Sequence, residues 1–196
     1  MSKFTEIIKK NRDDIIKPVA VLLAICIVIP LALSLTDKIT AKKIAALEAE
    51  NSKKNMSALV KADSFEKLNA GDTEYYAATL NGETAAYIFT ESAKGYGGDV
   101  SVMTAVKPDG TVAGVAVLDV SNETPGLGQN AAKESFCSQF AGLKKGVSLL
   151  KNGADHDNNE VDAVTGATIT STAVTRAVNE ALDNFEKIKG AAEDEE

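Results

Sequence analysis

The chain has few side chains that can carry out catalysis by themselves. Its 196 residues include one histidine, two cysteines and no tryptophan. Cys26 and Cys137 lie far apart in the sequence, with the spacing of neither a metal site nor a disulfide framework. His156 stands in a polar loop with no second histidine or cysteine nearby, which predicts a solvated residue. We therefore predict no metal site, and we expect any chemistry to depend on a group that is brought to the protein.

The chain also lacks the positive charge of a nucleic-acid-binding protein. Its formal net charge is −7 at pH 7, whereas binding to a phosphate backbone selects basic patches. We therefore expect no nucleic acid among its partners. Hydrophobic residues make up 44% of the chain and charged residues 25%, which is typical of a globular protein. An acidic tail over residues 191–196 is interpreted as a solvated terminus.

A stretch without charge near the N-terminus predicts a transmembrane helix over residues 18–36. Its 19 residues, at a rise of about 1.5 Å each, nearly span a hydrocarbon core of about 30 Å. The alternative is a cleaved signal peptide, with Ala32-Leu-Ser34 as its cleavage site. The uncharged run is longer than the apolar core of about 7–15 residues in such peptides, which favours an uncleaved anchor.

The charges that flank this helix predict its orientation. Five basic residues precede it and four follow within the next 17 residues, which favours a cytoplasmic N-terminus. We therefore predict a single-pass protein of the cell membrane, with a short cytoplasmic segment over residues 1–17. Residues 37–63 predict a juxtamembrane helical stalk, and the domain after it is expected on the extracytoplasmic side. The basic residues are Lys3, Lys9, Lys10, Arg12 and Lys17 before the helix, and Lys38, Lys42, Lys43 and Lys53 after it.

Residues 64–190 predict an α+β domain with an antiparallel sheet flanked by helices. Valine-rich runs with tight turns predict two hairpins, the first around Asn81-Gly82, a pair typical of a type I′ turn. The second hairpin turns at Lys107-Pro-Asp-Gly110. The four predicted strands are residues 75–80, 84–89, 100–106 and 112–118.

Helical periodicity follows the predicted sheet. Phe136, Cys137 and Phe140 share one helical face, which predicts core packing. Cys137 is therefore interpreted as a small buried hydrophobe, not as a nucleophile. From about residue 170 to residue 189, apolar residues recur at steps of three and four. This recurrence predicts a long helix that packs on one side of the sheet.

Two segments are not explained by a plain core. In residues 123–128, Glu-Thr-Pro-Gly-Leu-Gly, a flexible turn permits close approach of the backbone to a ligand, although an ordinary strand-to-helix loop would look similar. Residues 162–171 place hydroxyl groups and Gly166 directly before the long helix, where free N–H groups bind phosphate. The alternative is an ordinary N-cap formed by Thr170 or Ser171. Thr168 has no histidine or lysine beside it, so it is a poor self-activated nucleophile, although it is able to serve as the acceptor for a group transferred by another enzyme.

The second segment resembles the flavinylation signature of FMN-binding domains. Asp162-x-x-Thr165-Gly166-Ala167-Thr168 is similar to the D-x-x-(S/T)-G-A-T motif of that family. The resemblance implies that a flavin transferase attaches FMN covalently, through a phosphoester, to Thr168. Residues 123–128 and the Gly-Tyr-x-Gly stretch at Gly95 resemble further segments of the family, so the similarity covers nearly the whole chain. Its order of motifs after one membrane helix resembles the G subunits of Rnf complexes, the ion-translocating ferredoxin:NAD oxidoreductases, and less closely the longer C subunits of Na⁺-translocating NADH:quinone oxidoreductases.

The resemblance implies a membrane-anchored electron carrier and not an independent enzyme. Its partners would be other membrane, iron–sulfur and flavin subunits of an Rnf-type complex. Many relatives have a histidine where this chain has Ser121, so a role for that histidine does not carry over. Two alternatives stay open: a stand-alone extracytoplasmic flavoprotein that donates electrons to a reductase or small acceptor, and a flavin-free binding domain. The expected cofactor-binding residues are Thr168, Asp162, Thr165, Gly166, Ala167, Glu123, Thr124, Gly126, Leu127 and Gly128.

Overall fold

The structure is a computed structural model that describes residues 12–71 and 73–193. The chain divides into two compact units, of which the first ends at Asn51 and the second begins at Ser52. Residues 1–11 lie outside the described residues, and with them Lys3, Lys9 and Lys10, three of the five basic residues behind the predicted orientation. The same holds for residues 194–196 of the predicted acidic tail.

The N-terminal helix α1 runs from Arg12 to Leu59 and contains Pro18 and Pro30. Its 19-residue stretch Ile16–Ser34 is long and apolar enough to cross a membrane. Every side chain of this stretch is exposed, which is the reverse of a helix in a protein core. This candidate anchor begins two residues before the predicted span of 18–36. The predicted stalk of residues 37–63 is helical as far as Leu59.

The second unit contains a five-stranded antiparallel sheet in the order β1-β2-β3-β4-β5. The four strands of the two predicted hairpins are confirmed. Edge strand β1 was not predicted, because Glu66 and Lys67 interrupt its few apolar residues. Its Phe65 and Leu68 pack against opposite faces of the sheet. The strands are β1 Ser64–Ala70, β2 Thr73–Leu80, β3 Glu83–Lys94, β4 Asp99–Val106 and β5 Val112–Asp119.

The two predicted hairpin turns are confirmed. Asn81 and Gly82 have φ of 55° and 87°, the two positive values that a type I′ turn requires. In the second turn, the N–H of Gly110 donates to the carbonyl of Lys107 at 2.9 Å. These local turn signals explain why the two hairpins were accessible from sequence patterns.

A long C-terminal helix covers one face of the sheet. This helix, α3, spans Thr168–Glu193 and packs on β3 and β4. It begins two residues before the predicted start at about residue 170. Its Val178 and Leu182 share a core with Phe89 of β3. On the opposite face, Met56 from the end of α1 packs in a second cluster. The reason is the alternation of the strands, which presents Ile88, Met103 and Ala105 on that face.

Short elements connect the sheet to α3. A 3₁₀-helix over Gly128–Ala132 precedes helix α2, Glu134–Cys137, and a further 3₁₀ turn over Ser138–Phe140. The thiol of Cys137 is buried, and burial raises its pKa, which agrees with a packing role. A small parallel pair, β6 Ser148–Leu150 and β7 Glu160–Asp162, was not predicted because three residues carry no measurable periodicity. Strand β7 leads the chain into the second predicted segment.

Candidate functional site

Two glycine turns lie side by side in front of α3. In the first, the N–H of Leu127 donates to the carbonyl of Thr124 at 3.1 Å, and Gly126 has a φ of +76°. In the second, the N–H of Ala167 donates to the carbonyl of Val164 at 2.9 Å, and Gly166 has a φ of +77°. Positive φ at the third position is typical of type II turns. A Cβ added to Gly166 would lie 3.0 Å from Cδ2 of Leu127, so the two turns pack against each other.

A cleft of about 570 Å³, here called the first cleft, opens between these turns and the start of α3. It brings together seven of the ten residues predicted to bind a cofactor, although they lie in two segments of the sequence. The seven are Glu123, Thr124, Leu127, Gly128, Gly166, Ala167 and Thr168.

The other three predicted residues lie outside this cleft. Asp162 and Thr165 line a neighbouring second cleft of about 370 Å³. The Asp162 carboxylate accepts a hydrogen bond of 2.9 Å from the N–H of Ala154 and so holds the loop before β7. Gly126 lines neither cleft, and its carbonyl accepts from the Asn130 side chain at 2.6 Å. The contacts of these residues position the backbone, and their role in binding a cofactor stays a prediction.

Three residues of the first cleft were missed as binding residues: Tyr96, Ile169 and Thr170. The side chains of Tyr96 and Ile169 are 70% and 53% exposed, and Leu127 beside them is 44% exposed. Together they give the cleft an apolar rim. Tyr96 stands inside the glycine-rich stretch that the sequence singled out, so that stretch was the available signal. Ile169 gave no separate signal, whereas Thr170 stood in the hydroxyl-rich segment of residues 162–171 but was interpreted as a possible helix cap.

Glu123 is a buried carboxylate in the wall of the first cleft, with 2% of its surface exposed. Its Oε1 accepts a hydrogen bond of 2.9 Å from the N–H of Gly97, and its Oε2 accepts one from the hydroxyl of Thr170. Burial raises the pKa of this carboxyl, but the hydrogen bonds from Thr170 and from the N–H groups of residues 96–98 outweigh it and hold the pKa below its usual value. Glu123 is therefore ionised at neutral pH.

Glycines surround Glu123 because no side chain fits there. A Cβ on Gly95 would lie 2.5 Å from Oε1 of Glu123, and one on Gly97 would lie 1.8 Å from the carbonyl oxygen of Asn122. On the other side, a Cβ on Gly128 would lie 2.7 Å from Oε2. Gly95 and Gly128 thus bring backbone against the buried carboxylate, and Gly97 lets the glycine-rich stretch approach the backbone of Asn122.

The hydroxyl groups at the start of α3 have different environments. Thr168 is the first residue of the helix and is exposed, and within residues 12–71 and 73–193 no group hydrogen-bonds its hydroxyl. Thr170 and Ser171 lie inside the first turn, so the interpretation of either as the N-cap is wrong. Ser171 donates to the carbonyl of Ala167 at 3.0 Å and accepts from the N–H of Val164 at 3.0 Å. Because the first residues of α3 line the first cleft, the positive end of the helix dipole lies at the cleft, beside the hydroxyl of Thr168.

Comparison with known proteins agrees with this geometry. The FMN-binding domain family matches residues 95–183, which include both turns and the first cleft. The chain is 36% identical to the G subunit of the proton-translocating ferredoxin:NAD(+) oxidoreductase complex of Clostridium ljungdahlii, over 92% of this chain and 97% of that protein. It is 33% identical to the G subunit of the Na(+)-translocating ferredoxin:NAD(+) oxidoreductase complex of Acetobacterium woodii, over 86% of this chain and 90% of that protein.

A solved structure shares the fold. The crystal structure of Shewanella oneidensis NqrC superposes with a TM-score of 0.54 at 26% identity, covering 62% of this chain and 63% of that one, which is less than two thirds of either. The matches to the two G subunits, in contrast, extend over nearly the full length of both chains. The protein therefore belongs to the family of FMN-binding-domain proteins that are named as the G subunits of ion-translocating ferredoxin:NAD(+) oxidoreductase complexes.

Proposed function

We propose that this protein is a membrane-anchored electron-transfer subunit that carries FMN joined by a phosphoester to Thr168. The observation that carries the proposal is the state of the Thr168 hydroxyl. It is exposed, lies on the first cleft at the first residue of α3, and has no hydrogen-bond partner in the described part of the chain. A hydroxyl in this state is available as an acceptor for a transferred group.

The residues of the first cleft fit the chemical parts of FMN. A phosphate on Thr168 would lie at the N-terminus of α3, where unpaired N–H groups and the helix dipole stabilise negative charge. The apolar rim of Tyr96, Leu127 and Ile169 would face the flavin ring system, and the cleft volume of about 570 Å³ is in the range of small-molecule sites. When bound, FMN supplies one- and two-electron transfer. Covalent attachment would keep this carrier at a site that is open to solvent.

The relatives support a place in a larger assembly. Because those proteins are named as subunits of ferredoxin:NAD(+) oxidoreductase complexes, we infer that this chain works with the membrane, iron–sulfur and flavin subunits of such a complex. Maturation would need a flavin transferase. Ion movement would belong to other subunits, because the stretch Ile16–Ser34 contains no acidic residue. In this proposal residues 18–36 form the anchor, 37–63 the stalk and 64–190 the FMN-binding domain.

In-gel fluorescence tests the covalent site. The full chain is co-expressed with a flavin transferase and denatured in SDS, and the protein band is examined for flavin fluorescence. We expect a fluorescent wild-type band, a dark Thr168→Ala band and a fluorescent band for the matched control Thr172→Ala, whose hydroxyl is bonded to the helix backbone and lies outside the signature. A dark wild-type band would contradict the proposal, and a fluorescent Thr168→Ala band would move the attachment to another residue.

A labelling experiment tests the proposed extracytoplasmic side. Cys137 is buried, so it does not serve as the target, and Asn152→Cys supplies an exposed thiol in the domain. In intact cells, a membrane-impermeant maleimide should label Asn152→Cys and leave wild type unlabelled. Labelling that requires lysis of the cells would place the domain in the cytoplasm.

A further inference from the structure

We infer that Glu123 determines which hydroxyl at the start of α3 accepts the flavin, because it binds and covers the hydroxyl of Thr170. The inference rests on the proposed function and adds a specificity-determining residue to it. The question arises from crowding of hydroxyl groups in one short segment. They belong to Thr165, Thr168, Thr170, Ser171, Thr172 and Thr175.

Three of these hydroxyls are occupied by the helix itself. Ser171 donates to the carbonyl of Ala167 at 3.0 Å, and Thr172 donates to the carbonyl of Thr168 at 2.8 Å. Thr175 donates to the carbonyl of Ser171 at 2.9 Å and is buried. Each bond returns to the residue four positions earlier, so it forms wherever a serine or threonine adopts this geometry in a helix.

Thr165 is separated from the others by position. It is exposed, but it lines the second cleft together with Lys133 and Asp162, on the far side of the turn at Gly166. A donor seated in the first cleft would therefore meet Thr168 and Thr170, which are the two threonines of the motif that line it. Choice between these two is what remains to be explained.

Thr170 differs from Thr168 in having a partner from a distant part of the chain. Its hydroxyl donates to Oε2 of Glu123, 47 residues away in sequence, and its surface is 1% exposed. Gly128 makes this approach feasible, because a Cβ there would lie 2.9 Å from the Thr170 hydroxyl oxygen. Glu123 is in turn fixed through Oε1 by the N–H of Gly97. The carboxylate thus acts as a clamp that binds the Thr170 hydroxyl and covers it.

The transfer itself shows why this clamp matters. A phosphorus–oxygen bond forms between the threonine oxygen and the FMN phosphorus, and the phosphoanhydride of a flavin dinucleotide donor breaks. The nucleoside monophosphate leaves, and the hydroxyl proton is released to solvent. A carboxylate is also able to activate a hydroxyl, but the attacking oxygen must then reach the phosphorus. An oxygen enclosed between Glu123 and Gly128 does not meet that requirement, whereas the exposed oxygen of Thr168 does.

Mass spectrometry of the modified peptide tests the inference. Trypsin releases residues 152–176 as one peptide that contains all six hydroxyls, and fragmentation locates the FMN. The full-length chain in detergent is incubated with flavin transferase and flavin adenine dinucleotide. In wild type we expect FMN on Thr168 alone, and in Thr168→Ala we expect no label on Thr170. In the double variant Thr168→Ala/Glu123→Ala, label on Thr170 should rise about tenfold or more over Thr168→Ala.

Two controls make the result specific. Thr168→Ala/Glu134→Ala removes an exposed glutamate of α2 and should stay unlabelled. The triple variant Thr168→Ala/Glu123→Ala/Thr170→Val should lose the new label. If Glu123→Ala prevents folding, Glu123→Gln replaces it in the double variant. Glutamine keeps the shape of the side chain but presents an N–H donor where the carboxylate accepts from Thr170, so label on Thr170 is expected again.

The outcomes separate this inference from the proposed function. Label on Thr170 in Thr168→Ala with Glu123 intact would overturn the inference. So would a folded double variant in which Thr170 stays as unreactive as in Thr168→Ala. Absence of label in wild type would instead overturn the covalent FMN site itself.

Discussion

The interior beneath α3 and the wall of the first cleft are both buried, but they differ in whether their buried polar groups have hydrogen-bond partners. Beneath α3 the packing is apolar, and the hydroxyl of Thr104, opposite Phe89 in the sheet, has no hydrogen-bond partner within the described residues. In the cleft wall the charged side chain of Glu123 is almost as deeply buried but is held by a hydroxyl and backbone N–H groups. A buried polar group is costly only when it lacks partners, so burial alone does not identify a functional site.

The largest loss of stability should come from a side chain at Gly97, whose N–H donates to Glu123. In Gly97→Ala the new Cβ would lie 1.8 Å from the carbonyl oxygen of Asn122, and backbone cannot yield cheaply. We expect the free energy of unfolding to fall by about 3 kcal/mol or more. Urea denaturation followed by tyrosine fluorescence measures it. Gly190→Ala, which meets nothing within 4 Å, is the control and should stabilise α3 by about 0.5–1 kcal/mol.

The second effect concerns the charge of the cleft wall. Glu123→Gln should lower the free energy of unfolding by about 2–3 kcal/mol at pH 7, because a donor replaces one of the accepting oxygens. The exposed Glu134→Gln serves as control and should change it by no more than about 0.5 kcal/mol.

This contribution of Glu123 should depend on pH with a definite sign. In the folded protein the pKa of Glu123 lies below its usual value, and in the unfolded chain it is about 4.3. The ionised form therefore stabilises the fold above about pH 4.3, and this stabilisation is lost as the pH falls through the folded pKa. The difference between wild type and Glu123→Gln should shrink from pH 7 towards pH 3. A constant difference would show that the charge of Glu123 does not matter.

A smaller effect is expected from removing the hydroxyl that faces this carboxylate. Thr170→Val keeps the shape of the side chain but leaves Oε2 of Glu123 without its donor. We expect a loss of about 1–2 kcal/mol in the free energy of unfolding. Thr172→Val, whose hydroxyl bonds only to the helix backbone, is the matched control with a smaller change. Equal losses in both variants would contradict a special role of the pair.

The smallest effect, of opposite sign, is expected in the apolar interior. Thr104→Val removes a buried hydroxyl that has no partner in the described structure, so its desolvation cost disappears. We expect the free energy of unfolding to rise by about 0.5–1 kcal/mol, as measured in the same urea titration. A loss of stability would show that Thr104 has a polar partner and would remove the contrast between the two regions.

Local patterns made several parts of the structure predictable. The Asn81-Gly82 turn set the first hairpin, and the apolar repeat after residue 170 predicted α3. Strand β1 escaped prediction because an edge strand with charged residues has no clear alternation. The alternative of an N-cap at Thr170 or Ser171 is wrong because the helix that follows the turn at Gly166 begins at Thr168.

By itself the sequence determined the long apolar helix, the hairpins, the C-terminal helix and the two motifs, because each depends on residues close together in the chain. Only the tertiary structure decided which residues share the first cleft. The glycine-rich stretch around Tyr96 and the loop at Glu123 meet through a hydrogen bond that spans 26 residues, and Glu123 meets Thr170 across 47. The folding of the sheet under α3 brings these segments together. That long-range packing determines which threonine is engaged and which one, Thr168, is left exposed.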